Sequence, residues 1–230
     1  MNAEKIILDK VEENRQQIID FVQKIVQIPS LSGEEFEIGQ ALKKGMEDWG
    51  LEDVEVVEKV PKHPNLLARV NGKADGPTLV FNGHMDVIAP GDESQWTYPP
   101  YSGAIVDGNL YGRGTVDMKT STCTMMLASA ILKKTNLPLN GNILVTVVCD
   151  EEICGDRGIL HLLEENKIQG DFGINGEPTN FESVVVAHKG ILRAHIHVYG
   201  KNAHGSRPYL GHNAIDDMIK VINRIQVLAE

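Results

Sequence analysis

Leu8, Val11, Ile18, Val22 and Ile25 recur at helical spacing, which predicts an amphipathic helix over residues 3–27 that ends before Pro29. Ser32 and Glu35 stand three apart in a capping-box pattern, and a second helix follows to about Trp49, with Gly50 as its stop. Val54, Val56 and their neighbours predict a short strand, and Asn65 to Val70 another. The turn residues Asn71 to Gly76 then read as a hairpin into an apolar strand opening at Thr78-Leu79-Val80-Phe81. Residues 88–114 hold Pro90, Gly91, Pro99, Pro100, Gly103, Gly108, Gly112 and Gly114, and predict a long loop of the kind that carries function. Met118 to Lys134 reads as a helix. Asn142 to Cys149 is a nearly continuous apolar run, as in a strand buried on both faces.

Residues 156–167 predict a further helix and Phe172 to Asn175 a short strand. Strands alternating with helices imply an α/β layer: a mainly parallel sheet with flanking helices. The pattern changes near Glu182. Val184 to Ala187 and Ile191 to Tyr199 read as consecutive strands, followed by a helix from about Asn213 to Leu228. The expected organisation is one domain over 1–182 and an incomplete α+β domain over 183–230, which stops before the returning half that would cover its apolar face.

The chain has 230 residues, 42% of them hydrophobic and 23% charged, as expected of a globular protein. A formal net charge of −10 disfavours nucleic acid or an anionic membrane as partner. Cys123, Cys149 and Cys154 are odd in number and form no CxxC, so neither a disulfide framework nor a thiolate zinc site is expected. The first thirty residues lack an apolar signal core, and no run reaches the ~18 apolar residues of a spanning helix. A reduced, cytoplasmic setting is the expectation.

The candidate chemistry sits at element ends. His84 and Asp86 are two apart on an extended segment, so both side chains point the same way. A metal-bound histidine usually gives its second ring N–H to a carboxylate or carbonyl, a part Asp86 could take. Asp117 sits at a loop-to-helix junction, where it reads either as a helix N-cap or as a carboxylate bridging two metals. Glu151 and Glu152 follow the long apolar strand, and Glu177 lies between Gly176 and Pro178 after the short one. Taken singly, each is more readily an ordinary cap or surface group. Together, strand ends offering His, Asp, Glu and Glu suggest a site for a divalent metal.

Five ordered motifs sharpen this: Gly83-His84-Met85-Asp86; Gly112-Arg113-Gly114-Thr115-Val116-Asp117-Met118-Lys119; Asp150-Glu151-Glu152; Gly176-Glu177-Pro178-Thr179; and His204-Gly205-Ser206-Arg207-Pro208. The set resembles the M20 metallopeptidase and deacylase family. The resemblance implies a zinc-exopeptidase-like fold, with 1–182 as the first part of the catalytic domain and 183–230 as part of a lid and dimerisation domain. It implies two Zn²⁺ ions, replaceable by Co²⁺ or Mn²⁺. One would be held by His84, Asp117 and Glu177, and the second by bridging Asp117 and by Glu152. Glu151 would be the general base, Asp86 would orient His84, and the Asp117–Met118 peptide would be cis. His204 would reach a neighbouring subunit's site and help stabilise the oxyanion, with Asn213 and Arg207 contacting substrate.

The implied reaction is hydrolysis of the amide of an N-acyl amino acid or short peptide bearing a free carboxylate, in a homodimer. The resemblance also shows departures. Family members run on past the lid to a final histidine for the second zinc, and Thr120-Ser121 replace the usual glycines. If the 230 residues are the whole molecule, ligand counting then predicts one strong and one weak metal site, with low or no turnover. The alternative is a non-catalytic metal-binding or dimerising module of the same fold.

Overall fold

The computed structural model describes residues 2–72, 76–180, 182–190 and 194–228. It divides into two compact units, Met1–Ser183 and Val184–Glu230. The single helix expected over residues 3–27 is two, α1 (Ala3–Glu13) and α2 (Arg15–Val26). Asn14 breaks it: its side-chain amide donates to the Lys10 carbonyl at 2.7 Å, the competition with the backbone that makes Asn a poor interior helix residue. α1 buries nothing, whereas α2 buries Val22, Ile25 and Val26.

Helix α3 (Phe36–Asp48) stops where Gly50 predicts. Gly50 takes φ +92, and the Gly50 and Leu51 N–H groups return to the Glu47 and Met46 carbonyls, which is a Schellman ending. The expected capping box is absent. Glu35 turns inward to the Gly33 N–H and to His63, and the Ser32 hydroxyl donates instead to Asp86. The side-chain cap is lost to longer-range partners.

The strands of the first unit are β1 (Glu55–Val57), β2 (Asn65–Val70), β3 (Thr78–His84), β4 (Ala104–Val106), β5 (Asn109–Tyr111), β6 (Asn142–Val148) and β7 (Phe172–Asn175). The main sheet has the order β1-β2-β6-β3-β7. It is mixed: β6, β3 and β7 run parallel, while β2 pairs antiparallel with both β1 and β6. The expected hairpin from β2 into β3 does not form, because β6 lies between them; residues 73–75 of its turn lie outside the described set. β6 is buried from Ile143 to Val148, so this doubly apolar strand takes the centre and needs a neighbour on each side.

Helix α4 (Lys119–Lys134) covers one face. Its Cys123, Met126, Leu127, Ala130 and Ile131 join Ile38, Leu42, Met46, Leu66, Val145 and Val147 in the principal core. Leu162 of the short helix α5 (Ile159–Glu164) covers the other face with Leu67, Val80, Leu144 and Val148. Leucines and methionines buried this fully each contribute about 1.5–3 kcal/mol, so α4 is anchored tightly behind β3. The long segment 88–114 is not all loop: β4 and β5 form a hairpin across Asp107 (φ 49) and Gly108 (φ 79). That Asp-Gly pair is the signal for a two-residue turn with both φ positive.

In the second unit, the strands expected at 184–187 and 191–199 are not formed among the described residues, and 191–193 lie outside them. Val184 and Val186 are 85% and 92% exposed. β-branched residues favour a pleated surface only where a partner strand supplies it. An antiparallel bridge joins Lys201 and His212, and helix α6 spans Ala214–Leu228. Among the described residues no helix is long and apolar enough to cross a membrane.

Candidate metal centre

Parallel β6, β3 and β7 end together, and in such sheets ligands gather beyond the carboxyl ends of the strands. His84 is the last residue of β3, Glu151 and Glu152 follow β6, and Glu177 follows β7. Asp117 precedes α4 but does not cap it; the residue at the cap position is Met118, with no side-chain cap bond. No peptide among the described residues is cis, so the bond expected to be cis after Asp117 is trans, the form favoured by about 2.5–4 kcal/mol for a non-proline residue.

His84 is 1% exposed. Its Nδ1 lies 2.9 Å from the Asp86 carbonyl oxygen, which can only accept, so Nδ1 carries a hydrogen and Nε2 faces the cleft. From Nε2, Asp117 Oδ1 lies at 3.0 Å, Glu177 Oε1 at 3.5 Å and Glu151 Oε2 at 3.9 Å. Ligands about 2 Å from a tetrahedral zinc sit about 3.3 Å apart, so Asp117 and Glu177 each stand at a spacing from Nε2 that suits an ion shared with His84. The donor atoms of His84, Asp117 and Glu152 all lie within 4.8 Å of one another, as do those of His84, Glu151 and Glu177. His84 is common to both triads.

The orienting contact on His84 comes from the Asp86 backbone. The Asp86 carboxylate stands 3.5 Å from Nδ1 and is occupied elsewhere: it accepts from the Ser32 hydroxyl at 2.7 Å and from the Glu151 and Glu152 N–H groups at 3.1 and 3.2 Å. Burial raises its pKa, but these hydrogen bonds and His84 win and hold it below the usual value. The His84 carbonyl accepts from the Thr122 hydroxyl at 3.0 Å, tying β3 to α4.

The donor set fits a divalent cation. Burial lowers the His84 pKa, yet Asp86, Glu177 and Glu151 outweigh it and raise the imidazole to about 9. Glu152 is raised by burial and then by Asp117; Glu177 is raised by burial and by Asp117, Glu151 and Glu152, against His84. Five carboxylates thus crowd around one imidazolium, which stands where a more highly charged cation would relieve their repulsion.

His204, Arg207 and Asn213 belong to the second unit, where all three are exposed. His204 Nδ1 accepts from the Ser206 N–H at 3.2 Å, and the Arg207 N–H donates to the His204 carbonyl at 2.8 Å. Asn213 Oδ1 accepts from the Ile215 N–H at 3.0 Å and so caps α6. The sequence reading missed Ser32 and Thr122 as groups that hold the site. Nothing local marks either; Ser32 even carries a competing capping signal.

Residues 80–225 match the description of peptidase family M20/M25/M40. The chain belongs to this family. Among curated M20 relatives, a probable succinyl-diaminopimelate desuccinylase of Staphylococcus epidermidis is 34% identical over 214 residues, covering 93% of this chain and 52% of the relative. The succinyl-diaminopimelate desuccinylase of Methylorubrum extorquens is 38% identical over 173 residues, covering 72% of this chain and 44% of the relative. Among solved structures, aminopeptidase PepT from Bacillus cereus superposes with a TM-score of 0.59 at 25% identity, covering 91% of this chain and 56% of that one. This M20 chain spans about half the length of the curated relatives it matches.

Proposed function

We propose that this M20 chain carries most of the metal centre of a two-zinc amide hydrolase acting on an N-acyl amino acid or short peptide with a free carboxylate. The observation that supports it most is the convergence of His84, Asp117, Glu151, Glu152 and Glu177 within coordination reach. Desuccinylation, the activity in the names of two relatives, is one such reaction. His84, Asp117 and Glu177 hold one ion; Asp117 and Glu152 contribute to a second. Bound there, the ions supply Lewis acidity and an acidified water.

Glu151, about half exposed at the cleft, takes the proton from the attacking water and returns it to the leaving amine. Asp86 holds the Glu151–Glu152 turn and, through its carbonyl, the imidazole. His204 reaches a neighbouring subunit's site and donates to the developing oxyanion there, and Asn213 and Arg207 contact the substrate. The protein works as a cytoplasmic homodimer joined through the Val184–Glu230 unit. Zinc titration with competition by a chelator tests the reading, alongside hydrolysis of N-succinyl and N-acetyl amino acids. Zinc uptake lost in His84→Ala and turnover lost in Glu151→Gln are expected. Uptake unchanged by His84→Ala would overturn it.

A further inference from the structure

Two adjacent glutamates cannot enter one cleft from a regular strand, so the chain must turn sharply after β6. Asp150 makes that turn in the left-handed region, φ 68 and ψ 11, which is uncommon for a non-glycine residue. Asp150 is 3% exposed. It accepts from the Arg157 backbone N–H and Nε, each at 3.0 Å, and makes a close ion pair with Nη2. Arg157 also passes its Nη1 3.4 Å from His63 Nε2, and the Arg157 carbonyl accepts from the Asn65 amide at 2.8 Å.

Arginine can only donate, which leaves His63 Nδ1–H for the wholly buried Glu35 at 2.8 Å. Glu35 in turn accepts from the Gly33 N–H at 2.7 Å. Ser32, next in the chain, donates to Asp86, which receives the Glu151 and Glu152 N–H groups. The contacts close into a ring, Asp86–Ser32–Gly33–Glu35–His63–Arg157–Asp150–Glu151, with the glutamate turn held at both ends.

We infer that Arg157 is a positioning residue for Glu151 and Glu152, acting through Asp150 and braced from behind by His63 and Glu35. The inference rests on the reading of Glu151 as base and Glu152 as metal ligand. Without Arg157, Asp150 is a buried carboxylate with no countercharge, and it reaches water only by swinging the turn that carries both glutamates. Arg157→Lys keeps the charge but not the forked geometry.

Amide hydrogen exchange on the metal-free chain tests this without reference to zinc. In Arg157→Gln the Glu151 and Glu152 amides should exchange at least about tenfold faster, while the Leu144–Val148 amides stay within about twofold of wild type. Arg157→Lys should fall between the two, and Glu35→Gln should show the same pattern more weakly. Unchanged turn amides, or core amides accelerated equally, would overturn the inference. Zinc competition supplies the second readout: the ion that uses Glu152 should weaken by about 10–100-fold, with the one on Glu177 nearly unchanged. Equal weakening of both would reduce Arg157 to general stability and overturn the inference. Absence of zinc uptake by the wild type would instead sink the function, while the exchange pattern would still decide the positioning.

Discussion

Gly83→Ala tests how β3 holds His84 against α4. A Cβ at Gly83 would stand 2.4 Å from Thr122 Oγ1, 2.9 Å from Met118 Cε and 3.1 Å from Met125 Cε. The methionine ends can swing aside. Thr122 cannot do so cheaply: it is β-branched and 1% exposed, and its hydroxyl donates to the His84 carbonyl. Overpacking costs about 1–3 kcal/mol, and a buried carbonyl left without its donor about 1–3 more. Urea unfolding of the metal-free variant should therefore show a loss of about 2–6 kcal/mol. Zinc affinity should fall as well, because displacing a ligand by about 1 Å can cost as much as 100-fold in function.

Thr122→Ala removes the closest clash and the hydrogen bond together. The double variant should then be more stable than the sum of the two single losses by about 1 kcal/mol or more. Additivity within about 0.5 kcal/mol, or an unperturbed Gly83→Ala, would refute the account of this contact.

Four further outcomes follow from the structure. The His84 pKa is raised from 6.5 to about 9, so its contribution in the metal-free protein is complete below pH 6.5 and disappears as pH rises through 9, about 3 kcal/mol in all. Buried Lys119 has the opposite sign: it is lowered from 10.5 to about 8, mainly by burial, so stability returns between pH 8 and 10.5, and Lys119→Met should abolish that rise in urea midpoints. Zinc must displace the His84 proton, so titration calorimetry at pH 7 in buffers of different ionisation heat should report about one proton released by this group; no buffer dependence would contradict the assignment. A Cβ at Gly158 would meet the Cys149 carbonyl oxygen at 2.0 Å, a backbone atom with nowhere to go. Gly158→Ala should cost at least about 2 kcal/mol in thermal or urea unfolding.

Much of the first unit was legible residue by residue. β2, β3 and β7 begin where the turn residues predict, and α4 and β6 occupy the runs that their apolar periodicity marks. The misreadings have two causes. Asn14 splits one helix through a local bond to the Lys10 carbonyl, whereas Ser32 abandons a cap for a partner far along the chain and 184–187 forms no strand among the described residues for want of one.

Sequence by itself determined the chemical inventory, the ends at which it stands and the family, because motif order, periodicity and Gly or Pro punctuation act over a few residues. Tertiary structure alone decided that β6 enters between β2 and β3, and so brings the ends after β6, β3 and β7 to one edge. It also decided that Asp86 serves the glutamate turn with its carboxylate and His84 with its carbonyl. Ser32 meets Asp86 across 54 positions of chain, and Arg157 meets His63 across 94. No local propensity encodes such pairings; they form when the doubly apolar strand is buried and the polar groups beside it must find partners within the fold.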